Sequence, residues 1–327
     1  MSELSSGMLV QHNSLGVGKV VAVEATAVHV FFPGSETRYA AKLRWPAVQP
    51  MLRTDGVAAD AWLEGLSSFK LDAASGRYAL AASFVTEEQA LEAFLETYPQ
   101  GFRDPAYVGS GAGKRERASR WRAAHAEWGE AFARGEGERL LGEGDFRELA
   151  RRALRIEKHV TLVPGTFEPG DLEGALEDDE TARPFFTALV GLLSVPSPAR
   201  ARFEALFAAT AKLPAPAALL WPIATVFPFV ADPTRHVFLW PKTACAGAER
   251  LGCDLRYDAA PSWATYAALR KLSVHLLEKL APVGGEDHVD VESFLYATAA
   301  RRAPPADAAA AQRATPARRT TTTRKTR

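Results

Sequence analysis

The spacing of apolar residues changes once along this chain, near Ala58, and that change sets the fold class. Before it, apolar and polar residues alternate. Met8–His12, Gly18–Glu24, Thr26–Phe32 and Thr37–Leu43 read as four short strands. In the third, Val28, Val30 and Phe32 fall on one face, and His29 and Phe31 on the other. Pro33 and Gly34 punctuate the next turn. Four short strands with tight turns predict a small barrel, because closing a sheet removes its exposed edges.

After Ala58 the period becomes helical. In "TEEQALEAFLETYP", Thr86 and Gln89 match a capping box, since hydroxyl and amide can satisfy each other's free backbone N–H groups. Leu91, Phe94, Leu95 and Tyr98 then share a face, and Pro99 stops the helix. Further helices are expected at 114–133, 145–157, 171–177 and 181–193, and from Ser197-Pro198, Thr243, Ser262 and Asp290. The stretch "PAPAALLWPIATVFPFVADP" is broken by Pro222 and Pro228. It is too short to cross a bilayer, which takes about 20 apolar residues, and reads as buried core. The expected class is α+β: a small N-terminal β-barrel at 1–52, a mainly α-helical domain at 58–302 with a subdivision near 160–170, and a disordered basic C-terminal tail at 303–327.

The formal net charge of zero hides a segregation. After Ala300 the chain carries eight cations against one acid, Asp307, so the tail is +7 and the rest −7. Arg318, Arg319, Arg324, Lys325 and Arg327 are the residues expected to contact nucleic acid, weakly and with salt dependence. Cys245 and Cys253 form neither a zinc pattern nor a disulfide framework. "MSELSSGMLV" has no basic start and no long apolar run, so a cytoplasmic setting without membrane contact is expected.

The candidate chemistry is sparse. Gly16-Val17-Gly18-Lys19 looks like the end of a phosphate-binding loop, but Val20 follows the lysine, Asn13 holds the place of the first glycine, and a strand pattern continues. "GSGAGKRE" fails likewise, with Arg115 after Lys114 and Val108 in the first glycine's place. Glu286, Asp287, His288 and Asp290 could ligate a metal, yet the local pattern is complete as a loop entering a helix with Asp290 as its cap. His236 and Lys242 flank the aromatic "VFLWP", which reads as core with an exposed rim. There is no GxSxG, HExxH or CxxC motif, and no cofactor or metal is expected.

The residues "LVQHNSLGVGKVVAVEATAVHVFFPGSETRYAAKL" resemble the Tudor/SH3-like domain at the C-terminus of UvrD/PcrA-type helicases, and more distantly the RNA-polymerase-interaction domain of CarD-type regulators. Val10, His12, Gly16, Gly18, Val20, Val28, Val30 and Phe32 carry the resemblance. Leu15 stands where the helicase module usually has Phe and would keep an apolar plug. Gly16 and Gly18 would be structural turn residues where strands pack closely. The helical remainder resembles uncharacterised bacterial proteins of the same architecture. The resemblance implies a protein-binding surface, with RNA polymerase or a repair protein as partner, and no helicase activity.

Three functions are therefore expected to compete. The first is a non-enzymatic adaptor whose barrel offers an exposed strand edge and the residues His12, Arg38, Tyr39 and Lys42 to a protein. The second is a nuclease-like or defence-associated enzyme whose cleft would gather His236, Lys242, Tyr257, Asp287 and Asp290. The third is a nucleic-acid binder acting through the tail.

Overall fold

The computed structural model describes residues 4–35, 37–109, 117–160, 169–194 and 200–300. The fold is α+β, mainly helical, with a small antiparallel sheet at its N-terminal end. The basic tail, the Ser197-Pro198 helix start and most of the expected subdivision near 160–170 lie outside the described residues.

Strands β1 (Leu9–His12), β2 (Gly16–Val23), β3 (Ala27–Phe31), β4 (Ala41–Arg44) and β5 (Leu52–Arg53) form one sheet in the order β4-β3-β2-β1-β5. The first four make a meander, and β5 returns to pair with β1 through Gln11 and His12. The fifth strand has only two residues, too few for a periodic signal.

A connector follows. Helix α1 (Ala61–Gly65) leads into a hairpin, β6 (Lys70–Asp72) and β7 (Arg77–Ala79), in a region whose sequence reads as helical. The hairpin accounts for the late start of β4. Arg38 and Ala40 bond to β7 and its flank, with Ala40 N–H donating to the Tyr78 carbonyl (2.8 Å) and Leu80 N–H to the Arg38 carbonyl (2.9 Å). Residues 38–40, just before the end strand β4, are thus already paired, which protects that stretch from adventitious strand addition.

Both faces of the sheet are covered. Val10, Val20, Val28, Val30 and Phe32 pack with Val48 on one side. Phe31 and Ala40 pack on the other against Leu63, Leu66 and Leu80 of the connector. All five residues of β3 are buried as a result.

The helical body contains α2 (Glu87–Thr97), α3 (Pro105–Val108), α4 (Arg117–Ala131), α5 (Glu136–Glu143), α6 (Phe146–Val160), α7 (Pro169–Glu177), α8 (Asp179–Leu193), α9 (Arg200–Thr210), α10 (Ala217–Ala231), α11 (Pro241–Arg250), α12 (Trp263–Leu280) and α13 (His288–Ala300). The Thr86–Gln89 capping box is present at α2, and Ser262 caps α12 by accepting from the Thr265 N–H. The most apolar stretch is helix α10, continuous through Pro222 and Pro228. Every residue from Trp221 to Val230 is buried. A helix apolar on all sides belongs inside a core, and there packing overrides the proline penalty.

The last helix corrects one detail of the sequence reading. Its cap is Asp287, whose Oδ1 accepts from the Val289 N–H at 2.9 Å. Asp290 lies three residues further on, fully buried, and serves a different purpose.

Candidate functional site

The β1–β2 turn is built around His12. Its ring is buried, and Nδ1 accepts the N–H groups of Ser14 (3.2 Å) and Leu15 (3.3 Å). The imidazole therefore shapes the turn from inside. Gly16 follows with φ +79°, a conformation glycine reaches without penalty. Gly18 is needed for another reason: a Cβ there would sit 2.5 Å from the Phe32 ring and 2.8 Å from Val30.

Lys19, the residue that suggested phosphate binding, is buried. Its Nζ donates to the carbonyls of Glu64 (2.5 Å) and Leu66 (2.7 Å) at the end of α1. A cation suits the negative end of a helix. Burial holds the amine below the ordinary lysine range.

At the same end of the sheet, Leu15 is 40% exposed and Met51 48% exposed. The Asn13 N–H donates to the Met51 carbonyl, which ties the two segments together. Leu15 is thus a surface residue and not the expected plug. The pairing of β5 with β1 brings Met51 to Asn13 of the same turn, a proximity that no local sequence signal carries.

The rim residues differ from one another. Arg38 donates to the Leu80 carbonyl and to the Tyr39 hydroxyl (both 2.8 Å) and lies 4.6 Å from the Tyr39 ring centre. Arg77 of β7 approaches the same ring at 5.3 Å. Lys42 is half-exposed and pairs with Glu24 at 3.1 Å, and Glu24 also meets the buried His29 at 2.8 Å.

Of the five residues expected to share a cleft, hydrogen bonds and ion pairs join some and not others. Asp287 and Asp290 do come together, held by Arg122 of α4 at 3.0 and 2.8 Å. Asp290 also accepts from the Tyr107 hydroxyl (2.7 Å) and the Glu286 N–H (2.8 Å). Burial, and next the Asp290 charge, hold Tyr107 far above the usual phenol range, so it stays a donor. A second pair runs alongside: Arg117 grips Glu292 with both Nε and a terminal nitrogen, and the Trp121 indole N–H donates to the same carboxylate. These carboxylates are saturated by fixed donors. The arrangement fastens α4 to α13.

His236 is 1% exposed, and its carbonyl accepts from His288 Nδ1 at 2.9 Å. Burial pushes its ring down to about 4, so it is neutral at pH 7. Lys242 is exposed on the first turn of α11. Tyr257 lies by Trp221, ring centres 6.5 Å apart. Among the described residues, no hydrogen bond or ion pair joins Lys242 or Tyr257 to the other three. Arg122, Tyr107, Arg117 and Glu292 escaped the sequence reading because their partners lie more than 160 residues away.

No protein-family model matches this chain, and no curated protein and no solved structure matches it either. Among the described residues, no helix is long and apolar enough to cross a membrane, and no group of three or more His, Cys, Asp or Glu could hold a metal ion.

Proposed function

We propose that this protein is a non-enzymatic, cytoplasmic protein-binding adaptor whose N-terminal sheet is a Tudor/SH3-like module engaging RNA polymerase or a DNA-repair protein. The strand order carries the reading. A four-strand meander whose short fifth strand returns beside the first is the arrangement a small barrel of this kind requires. The exposed Leu15 and Met51, on two segments joined by the Asn13–Met51 hydrogen bond, support it, since exposed apolar side chains are suited to a protein partner. In this reading the helical body is a scaffold, and the basic tail adds salt-dependent attraction to nucleic acid near the partner.

Affinity capture with the full chain tests it. Deleting the sheet would strip the cover from Leu63, Leu66 and Leu80, so surface variants are the better probe. Wild type should retain RNA polymerase or a repair protein, and Leu15→Ser/Met51→Ser or Lys42→Glu should reduce the recovery at least fivefold. Capture of neither class, or equal capture by all variants, refutes the adaptor.

A further inference from the structure

The contact between the sheet and the hairpin holds two arginines around one tyrosine. Arg38 and Arg77 lie 4.6 and 5.3 Å from the centre of the Tyr39 ring. Each is fixed by neutral acceptors: Arg38 by the Leu80 carbonyl and the Tyr39 hydroxyl, Arg77 by the Ala40 carbonyl at 3.0 Å. Two lysines of this region are answered by acids. Lys42 meets Glu24, and Lys70 meets Glu249 at 3.3 Å. Asp72, the cross-strand partner of Arg77, accepts from the Ser75 hydroxyl at 2.6 Å and feels the Arg38 charge only from beyond ion-pair distance. Among the described residues, no carboxylate lies within ion-pair distance of Arg38 or Arg77.

Two like charges held near one ring repel each other, and a bound anion relieves that repulsion. Both guanidinium groups keep N–H donors beyond those already used, and a guanidinium fork matches a planar carboxylate. The half-buried positions mean that little side-chain freedom is left to lose on binding.

We propose that Arg38, Tyr39 and Arg77 form a docking face for a short acidic peptide segment of the partner protein. This rests on the adaptor reading and names the partner's chemistry. Charge complementarity selects the occupant. Residues 1–53 carry five cations and three acids, whereas residues 54–300 are strongly acidic overall. A nucleic acid running on past the two arginines would meet that acidic body; a few carboxylates would not.

Photo-crosslinking of the full chain tests the proposal, with a glutamate-rich peptide carrying a benzophenone group as the probe and mass spectrometry to map the adducts. Adducts are expected in 38–44 and 70–79, and also in the cationic tail, which serves as internal control. Arg38→Gln or Arg77→Gln should lower the first set at least fivefold and leave the tail adducts unchanged. Arg77→Lys keeps the charge without the fork; it should lower the first set about threefold, and it substitutes for Arg77→Gln if that variant fails to fold. Absence of adducts at 38–44 and 70–79, or adducts insensitive to these substitutions, overturns the proposal. So does a single-stranded oligonucleotide of equal charge that labels this face as well as the peptide does. If Arg77→Gln captures polymerase or repair protein undiminished, this inference fails while the adaptor stands. Peptide adducts at this face without capture of either protein support the face and refute the adaptor.

Discussion

The Lys19 ammonium donates to the Leu66 carbonyl at 2.7 Å, across 47 residues of sequence. Together with its bond to Glu64, this contact fastens β2 to the end of α1, and so fastens the sheet to the connector. Lys19→Met would leave two carbonyls without this donor and keep most of the apolar volume. It should cost about 2 kcal/mol, the range for hydrogen bonds to a charged group. Urea unfolding of wild type and variant measures it, and a difference near zero would mean that water replaces the amine.

Gly16 and Gly18 should respond differently to the same substitution. At Gly16 the backbone is left-handed but the surrounding space is open, so Gly16→Ala should cost about 1 kcal/mol. At Gly18 the added methyl meets Phe32 and Val30, and Gly18→Ala should cost more, about 2–3 kcal/mol, through overpacking. Thermal melts of the two variants side by side would show the order; a reversed order contradicts the geometry.

Arg122 is the shared cation for Asp287 and Asp290, and Asp290 has no exposed side-chain surface. Arg122→Met strands a buried carboxylate and should cost about 3–5 kcal/mol. Tyr107→Phe removes one hydrogen bond to that charged carboxylate and should cost about 2 kcal/mol. The double variant should depart from the sum of the singles, since both donors serve one oxygen, Oδ1 of Asp290. Strict additivity in chemical denaturation would show that the network is not coupled.

Stability should fall in mild acid. Burial is the main cause that lowers His236 from 6.5 to about 4, with Arg235 adding to it. His288 is lowered in the same direction, again chiefly by burial. Between those pH values the unfolded chain binds more protons than the folded one, so stability rises with pH. The His236 contribution is complete above about pH 6.5 and lost as pH falls towards 4, about 3 kcal/mol in all. His236→Leu should flatten that part of the pH–stability profile. An unchanged slope would assign the acid sensitivity elsewhere.

Local pattern carried the strand region and much of the helical region. The two-residue period of β3 divides its side chains between the two faces as read: Val28, Val30 and Phe32 on one, Phe31 on the other. Thr86 and Ser262 cap helices because capping depends on a residue and its third neighbour. The hairpin and β5 went unread, since strands of two or three residues hold no measurable period. Helix α10 could be placed in the core but not recognised as a helix, because its two prolines argue against one and only surrounding side chains outweigh them. The site residues followed the same division. Arg38, Tyr39 and Lys42 were visible as polar groups near a strand, but Arg77 was not linked to them.

The sequence by itself determined that an alternating segment precedes a helical one, that Gly16-Val17-Gly18-Lys19 is no phosphate loop, and that charge is divided along the chain. Those properties are written in neighbouring residues, and backbone geometry reads them over a few positions. Tertiary structure decided what each polar group is for. It turned His12 inward, gave Lys19 a helix end to hold, bound Asp290 to Arg122 and Tyr107, and left Arg38 and Arg77 around Tyr39 with no carboxylate at ion-pair distance among the described residues. A charge is defined by what surrounds it, and here the surroundings come from segments that meet only when the chain is folded.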